Sequence, residues 1–313
     1  MRIRQQPITR RTALRVMGAG VTGIALAPQW ARADASEAIL KPIPPTGETI
    51  PVIGLGTWRT FNVGDDERAY APLVDVLQAF FDAGGGMIDS SPMYGSAQAV
   101  LGYGFERMGY PETLFSADKI WTRDGGATRE QFTEIAELWG LETFDLVQVH
   151  NLVAWEHHLD TLRELKAEGK VRYIGLTTSH GRRHGDLQWI MENEDDIDFV
   201  QCTYNITHPV AEELLLPVAV DNGIAVIANR PYDGGRLVRR LKRDEPLPEW
   251  AEEVDCRNWP EFLLKWIVSH PAVTCAIPAT TNVEHVRENM GAGRGVLPDA
   301  DQRRRMADYV RSL

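Results

Sequence analysis

The chain has 313 residues, a formal net charge of −11 and 43% hydrophobic residues. This length and apolar content are sufficient for one domain with a large core. The excess of acidic residues argues against nucleic acids and anionic membranes as partners, because binding to either requires a basic surface.

The first 33 residues have the pattern of an export signal. Arg10 and Arg11 precede an apolar run over 16–28, and Ala31-Arg32-Ala33 is a small-x-small cleavage pattern. A twin Arg before a mildly hydrophobic run predicts a twin-arginine signal, so we expect a cytoplasmic precursor, the twin-arginine export machinery as its partner and a periplasmic mature protein. The alternative is an uncleaved anchor, but the run is shorter than the roughly 20 residues that span a membrane.

Residues 34–313 are predicted to form a single domain without a membrane span, because no linker, repeat or low-complexity segment interrupts them. Since residues 1–33 contain six Arg and no acidic residue, the domain has a formal net charge of −17. Its three cysteines, at 202, 256 and 275, lack the spacing of a disulfide framework or a metal site and are interpreted as buried apolar residues.

The domain begins with two extended runs between residues 39 and 57, on either side of Pro44-Pro45-Thr46-Gly47. This pattern predicts a β-hairpin that plugs the base of the fold, and its second run, 50–56, also opens the sheet that follows. Short apolar strands then alternate with helical patterns. The strands are predicted at 86–89, 113–119, 145–149, 172–176, 198–202, 224–228 and 273–277, and the helices at 70–83, 97–107, 128–140, 156–168, 185–193, 211–222, 259–269 and 283–290.

Eight strand–helix repeats predict an α/β fold of the (β/α)8 TIM barrel type, with a further C-terminal helix over 299–310 on its outside. In such a barrel the loops after the carboxyl ends of the strands meet at one mouth. We therefore expect polar residues at these strand ends to lie close together.

Four residues at the predicted mouth form a candidate catalytic group. Asp89, Lys119 and His150 end three strands, and Tyr94 lies on the loop after Asp89. A phenol with its ordinary pKa near 10 needs a neighbouring cation to favour the phenolate, and Lys119 provides one. Asp89 would hold the ammonium, and His150 would donate a hydrogen bond to a substrate oxygen. Taken singly, an Asp and a Lys at strand ends often form only a structural ion pair, and a His at a strand end is more often a core residue than a catalyst.

The segment D-S-S-P-M-Y-G-S-A at 89–97 resembles the signature of the aldo/keto reductases, in which an Asp, a Tyr, a Lys and a His form a catalytic tetrad. Further matching motifs lie at 50–58, 175–179, 200–205 and 277–289, and the resemblance covers residues 46–290. It implies an NAD(P)H-dependent oxidoreductase that interconverts an aldehyde or ketone and its alcohol by direct hydride transfer, with Tyr94 as the general acid.

The resemblance also implies a set of cofactor-binding residues. Thr177, Thr178 and Gln201 would hold the nicotinamide amide, although the family usually has Ser-Asn at the first two positions. Asn229 stands where an aromatic residue commonly stacks on the nicotinamide. The full set is Gly56, Thr57, Trp58, Asp89, Thr177, Thr178, Gln201, Asn229, Arg230, Pro278, Thr280, Thr281, Asn282, His285, Glu288 and Asn289.

The residues around the adenosine end bear on the choice of cofactor. His285 replaces the Arg that usually binds the 2′-phosphate, and Ala279 replaces a common Lys, with Arg287 or Arg230 as candidates for compensation. The helix predicted over 283–290 would direct its N-terminus toward a phosphate. NADP(H) is favoured over NAD(H).

Other functions find less support in the sequence. The chain has neither the G-x-G-x-x-G motif after a strand nor a phosphate-binding loop, and a metal hydrolase would need an H-x-H strand, so no metal is predicted. A cofactor-loaded regulatory or binding subunit with little turnover is the second hypothesis. Five aromatic residues fall on the mouth loops and either line an apolar substrate pocket or only pack the rim, namely Trp58, Phe61, Trp121, Trp155 and Tyr232.

Overall fold

The computed structural model describes residues 37–313, and the predicted export signal at 1–33 lies outside this part of the chain. Within it, a short antiparallel hairpin precedes eight parallel strands. The hairpin consists of β1 (Leu40–Pro42) and β2 (Thr49–Pro51). The parallel strands are β3 (Leu55–Gly56), β4 (Met87–Asp89), β5 (Phe115–Ile120), β6 (Phe144–Val149), β7 (Val171–Thr177), β8 (Phe199–Thr203), β9 (Ala225–Asn229) and β10 (Cys275–Ala276).

The parallel strands follow one another in sequence order from β3 to β10, and the sheet closes on itself. Ile53 forms a parallel bridge with Ala276, and Gly56 N donates to Pro278 O at 3.0 Å. These contacts join the first strand to the last and remove the open edges of the sheet. The prediction of a (β/α)8 barrel with an N-terminal hairpin is confirmed.

Helices cover the outside of the barrel. They begin with α1 (Glu67–Asp82), in which Asp66 caps the N-terminus, and finish with α10 (Ala300–Ser312), which starts with a capping box between Asp299 and Gln302. The remaining helices are α2 (Ala97–Met108), α3 (Thr128–Trp139), α4 (Trp155–Ala167), α5 (His184–Asn193), α6 (Leu215–Asp221), α7 (Arg236–Asp244), α8 (Trp259–Val268) and α9 (Val283–Gly291).

Apolar side chains fill the barrel from its base upward. Ile43 and Ile50 of the hairpin pack in one buried cluster with inward-facing strand residues such as Phe115 and Phe199. The hairpin is also fixed by Lys41, whose Nζ donates to the carbonyl oxygens of residues 268, 270 and 273 at 2.6–2.8 Å. The base of the barrel is therefore closed, as predicted, and the opposite end carries the loops that follow the strands.

Two predicted elements differ from the observed ones, and two observed elements were not predicted. The extended run over 50–56 divides between β2 and β3, because the chain leaves its hairpin partner and joins the barrel. The helix predicted at 211–222 is interrupted, and α6 begins two residues before Pro217, which has no N–H to continue an earlier turn. Helix α7 and the 3-10 segment Glu249–Val254, both inserted between β9 and α8, were not predicted.

None of the helices in residues 37–313 has the length and apolar character required to cross a membrane. The three cysteines are buried and unpaired, with Cys202 on β8 and Cys275 on β10.

Candidate active site

The barrel brings the predicted catalytic residues together at its mouth. Asp89 is the last residue of β4, Lys119 is the penultimate residue of β5, and His150 directly follows β6. Tyr94 ends a one-turn 3-10 helix that starts at Pro92, and this helix is the loop between β4 and α2. The strands place three of the side chains, and the short helix places the fourth above them.

Lys119 forms a buried ion pair with Asp89. Its Nζ lies 2.6 Å from Asp89 Oδ2 and donates to Ser90 O at 2.7 Å, and the side chains are 0% and 2% exposed. Burial opposes the Lys119 ammonium, but the Asp89 carboxylate, together with Tyr94 and Asp118, raises the pKa of Lys119 above its ordinary value. A permanent positive charge therefore lies beneath the mouth.

Tyr94 lies above this charge, with Lys119 Nζ 5.2 Å from the centre of the phenol ring. Burial raises the pKa of Tyr94 to about 12, while Lys119 acts to lower it and Asp89 acts to raise it. Lys119 lowers the pKa of Tyr94, as predicted, but burial raises this pKa by more than Lys119 lowers it. Tyr94 is accordingly protonated at neutral pH and can donate a proton.

His150 stands edge-on to Tyr94, with ring centres 5.8 Å apart. Burial and then the charge of Lys119 lower the pKa of His150 to about 3, so the ring is neutral at physiological pH. Its Nδ1 lies 2.8 Å from Ser91 Oγ. A neutral imidazole is a hydrogen-bond donor at one nitrogen only.

A polar network continues from Asp89 across the floor of the mouth. Gln201 Nε2 donates to Asp89 Oδ1 at 2.8 Å, and Asn229 Nδ2 lies 3.3 Å from Gln201 Oε1. Asn229 also donates to Thr178 O at 2.9 Å and accepts from Thr203 Oγ1 at 2.8 Å. The position expected to hold a stacking aromatic residue is thus a buried amide, fixed by its neighbours.

A cavity of about 540 Å³ opens above this floor, a volume that suits a small-molecule site. Tyr94, His150 and Asp89 line it. So do nine other residues of the predicted cofactor set: Gly56, Thr57, Trp58, Thr177, Thr178, Gln201, Asn229, Arg230 and His285.

The other predicted cofactor residues do not line the cavity. Asn289 is buried and accepts from Tyr232 Oη at 2.6 Å, and Glu288 forms an ion pair with Lys242. Asn282 caps α9 by accepting from two amides of its first turn, so these amides already have a partner. The remaining members, Pro278, Thr280 and Thr281, lie on the segment between β10 and α9.

Two features of the cavity fit a nicotinamide dinucleotide. Thr178 Oγ1 is buried without a hydrogen-bond partner, which suits an amide group. Apart from Asp89, which is paired with Lys119, the residues that line the cavity include no Asp or Glu in the described part of the chain. Three arginines that could bind phosphate groups, Arg59, Arg230 and Arg239, line the cavity, together with the imidazoles of His180 and His285.

Several residues that line the cavity were not predicted from the sequence. Arg239 lies on the unpredicted helix α7, and Arg59, whose guanidinium lies 4.6 Å from the centre of the Trp58 ring, has a left-handed backbone with φ 66°. Hydrophobic spacing at Leu237 and Leu241 was the only sign of α7. Arg287, considered for phosphate binding, instead pairs with Glu284 and does not line the cavity.

The expected aromatic lining is only partly present. Trp58 and Tyr232 line the cavity, but Phe61 is fully buried in the core. Trp155 packs against Trp189 on the helical layer, and Trp121 is 43% exposed elsewhere on the surface. Mouth loops also pack against their own helices, so their aromatic residues need not face the opening.

Residues 37–313 contain no group of three or more His, Cys, Asp or Glu side chains arranged to hold a metal ion.

Comparison with known proteins gives consistent matches. The model of the Aldo/keto reductase family matches residues 52–306. The chain is 25% identical over 324 residues to the NADH-specific methylglyoxal reductase of Escherichia coli K12, a match that covers 83% of this chain and 95% of that protein. It is 28% identical over 250 residues to the methylglyoxal reductase YeaE of the same organism, covering 77% and 84%.

Solved structures share the fold. The crystal structure of an aldo/keto reductase from Klebsiella pneumoniae, in complex with NADP and acetate, has a TM-score of 0.70 at 22% identity and covers 84% of this chain and 93% of that one.

Proposed function

The chain belongs to the aldo/keto reductase family and is an NAD(P)H-dependent carbonyl/alcohol oxidoreductase, and we propose that Tyr94 is its proton donor. The observation that carries this proposal is the buried Lys119–Asp89 pair beneath a protonated Tyr94 at the floor of the cavity. No hydrolytic or metal-dependent chemistry is needed to explain this arrangement.

Each residue of the site has one task in the proposed reaction. When bound, the reduced nicotinamide supplies hydride to the carbonyl carbon. Tyr94 donates its phenolic proton to the carbonyl oxygen, and His150 donates a hydrogen bond to the same oxygen. The positive charge of Lys119 stabilises the phenolate that remains, and Asp89 keeps the ammonium in place. Oxidation of the alcohol is the reverse of these steps.

The cofactor in this proposal is NADP(H) in preference to NAD(H), with weak discrimination between them. Arg230 and Arg239 supply positive charge around the cavity, and His285 also lines it. His285 is a smaller and weaker phosphate ligand than an arginine, which can bind phosphate in a bidentate manner. One related protein is named NADH-specific, so binding of NAD(H) also occurs among the relatives of this chain.

Replacement of His285 by Arg tests the phosphate contact. A charge-assisted hydrogen bond to the 2′-phosphate contributes about 1.5–3 kcal/mol, so His285→Arg should tighten NADPH binding roughly ten- to a hundredfold. NADH lacks this phosphate and should bind as before. Fluorescence titration of both nucleotides gives the two dissociation constants, and an equal change in both would show that His285 does not face the 2′-phosphate.

For the substrate we propose a small 2-oxoaldehyde, a class that includes methylglyoxal. Two related proteins are named methylglyoxal reductases, and the cavity that Tyr94 and His150 line is also lined by the apolar side chains of Trp58 and Met93.

Stopped-flow hydride transfer tests the function. NADPH and NADH are bound to the purified protein in turn and mixed with methylglyoxal, an aromatic aldehyde and a ketone. Loss of nucleotide absorbance on mixing, with NADPH at least as effective as NADH, is the expected result. A protein that binds nucleotide but transfers no hydride to any of these compounds would instead be a regulatory or binding subunit.

We also propose that the protein is exported as a folded, nucleotide-bound barrel by the twin-arginine machinery and acts in the periplasm. The support is Arg10-Arg11 before the apolar run over 16–28, and the advantage of this route is that the nucleotide can be bound in the cytoplasm.

Replacement of Arg10 and Arg11 by Lys should retain the precursor in the cytoplasm in a folded, nucleotide-bound form. Since Lys preserves the positive charge, general electrostatics are unchanged and only recognition of the arginine pair is lost. Cell fractionation followed by immunoblotting measures the distribution, with Arg4→Lys as the matched control. Unchanged periplasmic amounts in the double variant would refute the export signal.

A further inference from the structure

Ser91 is a fully buried residue between β4 and the 3-10 helix that carries Tyr94. Its Oγ lies 2.8 Å from His150 Nδ1 and accepts a hydrogen bond from Met93 N at 3.2 Å. We propose that Ser91 is a positioning residue, which donates its hydroxyl proton to His150 Nδ1 and so fixes the imidazole with its own proton on Nε2. This inference rests on the proposed function, in which His150 is the donor to the carbonyl oxygen.

The hydrogen-bonding capacity of Ser91 determines the direction of this bond. A serine hydroxyl has one proton and two lone pairs, and the Met93 amide already occupies one lone pair. If Nδ1 were the donor, Ser91 would accept twice and its own proton would have no acceptor among its described contacts. Because a buried donor without a partner is costly, donation from Ser91 to Nδ1 is the arrangement that satisfies every group.

The charges around His150 make the tautomer important. Lys119 is the cation near the ring, the Asp89 carboxylate is paired with it, and Tyr94 lies edge-on at 5.8 Å. Burial and the charge of Lys119 keep the imidazole neutral, so it has a single N–H. With Nδ1 occupied by Ser91, that N–H is at Nε2. The opposite tautomer would present a lone pair to the carbonyl oxygen and would repel it.

Ser91 was not among the predicted catalytic residues, and sequence alone could not connect it to His150, which is 59 positions away. Strands β4 and β6 are not neighbours in the sheet, since β5 lies between them, so the contact is a tertiary one. The contact also links two segments: the residue that caps the Tyr94 helix is the same residue that orients His150.

Ser91→Ala and Ser91→Thr test the proposal in the full-length protein. In Ser91→Ala the His150 Nδ1 acceptor loses its buried donor. This loss should lower kcat/KM for carbonyl reduction roughly ten- to a hundredfold. Nucleotide affinity should not change. Ser91→Thr keeps a hydroxyl and should retain most of the rate. Ser269→Ala, which removes a buried hydroxyl before β10 at the opposite end of the barrel, is the control for a purely structural loss.

Nitrogen-15 NMR of the histidine side chains gives a readout that a merely structural role would not alter. With His150 assigned by comparison with His150→Gln, the wild-type ring should show a protonated Nε2 and an unprotonated Nδ1. In Ser91→Ala the two tautomers should both be populated, and in Ser91→Thr the wild-type pattern should return.

The possible results separate the two proposals. A wild-type ring protonated at Nδ1, or a Ser91→Ala variant with an unchanged spectrum and an unchanged rate, would overturn the role of Ser91. A wild-type protein without reductase activity whose Nε2–H tautomer depends on Ser91 would uphold the contact and overturn only the proposed function.

Discussion

Tyr94→Phe should abolish most carbonyl reduction while leaving nucleotide binding intact. The variant keeps the ring and its edge-on contact with His150 and removes only the hydroxyl. General acid catalysis contributes roughly 10²–10⁴-fold to a rate, and kcat/KM should fall by this factor. The proton is available in the wild type because burial raises the pKa of Tyr94 to about 12, so the acid form predominates at all pH values below that.

Pre-steady-state hydride transfer from bound NADPH is the measurement, with nucleotide affinity determined in parallel. Tyr70→Phe is a matched control, because it removes a tyrosine hydroxyl that donates to Gly64 O on the outside of the barrel. The control should transfer hydride at the wild-type rate. Full activity in Tyr94→Phe would assign the proton to another group and would leave the barrel and the cofactor cavity unaffected.

The placement of the catalytic group was predictable because it depends on topology. Asp89, Lys119 and His150 each follow a short apolar strand, and parallel strands in a barrel bring their carboxyl ends to one mouth. Tyr94 follows Asp89 by five residues and therefore lies on the adjoining loop. The local sequence was sufficient to predict each strand and its last residue, and closure of the sheet brings these residues together.

Other features depend on contacts that local sequence does not encode. Helix α7 is only nine residues long and buries Leu237 and Leu241, four positions apart, but it was not predicted, so the position of Arg239 at the cavity was missed. The hydrogen bond from Gln201 to Asp89 joins residues 112 positions apart. Burial of Tyr94 is likewise a tertiary property, which is why its raised pKa did not follow from the adjacent cation alone.

Lys119→Met should have two separable effects, one on stability and one on catalysis. Removal of the ammonium leaves the Asp89 carboxylate, 2% exposed, without its cation, although Gln201 still donates to it. Removal of one partner of a buried ion pair typically lowers the free energy of unfolding by about 3–5 kcal/mol. This loss should appear as a lower urea concentration at the midpoint of unfolding. Nucleotide binding to the folded fraction should persist.

Catalysis should fall at least about a hundredfold in Lys119→Met, because the phenolate formed at Tyr94 loses its stabilising charge. The sign follows from the pKa of Tyr94: Lys119 lowers it and Asp89 raises it, so removal of Lys119 makes the phenol a weaker acid.

The double variant Asp89→Asn/Lys119→Met separates the two effects. It removes both charges, and a neutral buried pair is often as stable as the ion pair it replaces, so the midpoint of unfolding should recover. Hydride transfer should not recover, since the cation near Tyr94 is still absent. Because Tyr94 and Lys119 act on the same proton, Tyr94→Phe/Lys119→Met should lose little more rate than the slower single variant. A double variant Asp89→Asn/Lys119→Met that reduces aldehydes at the wild-type rate would show that the buried ion pair supports the fold alone.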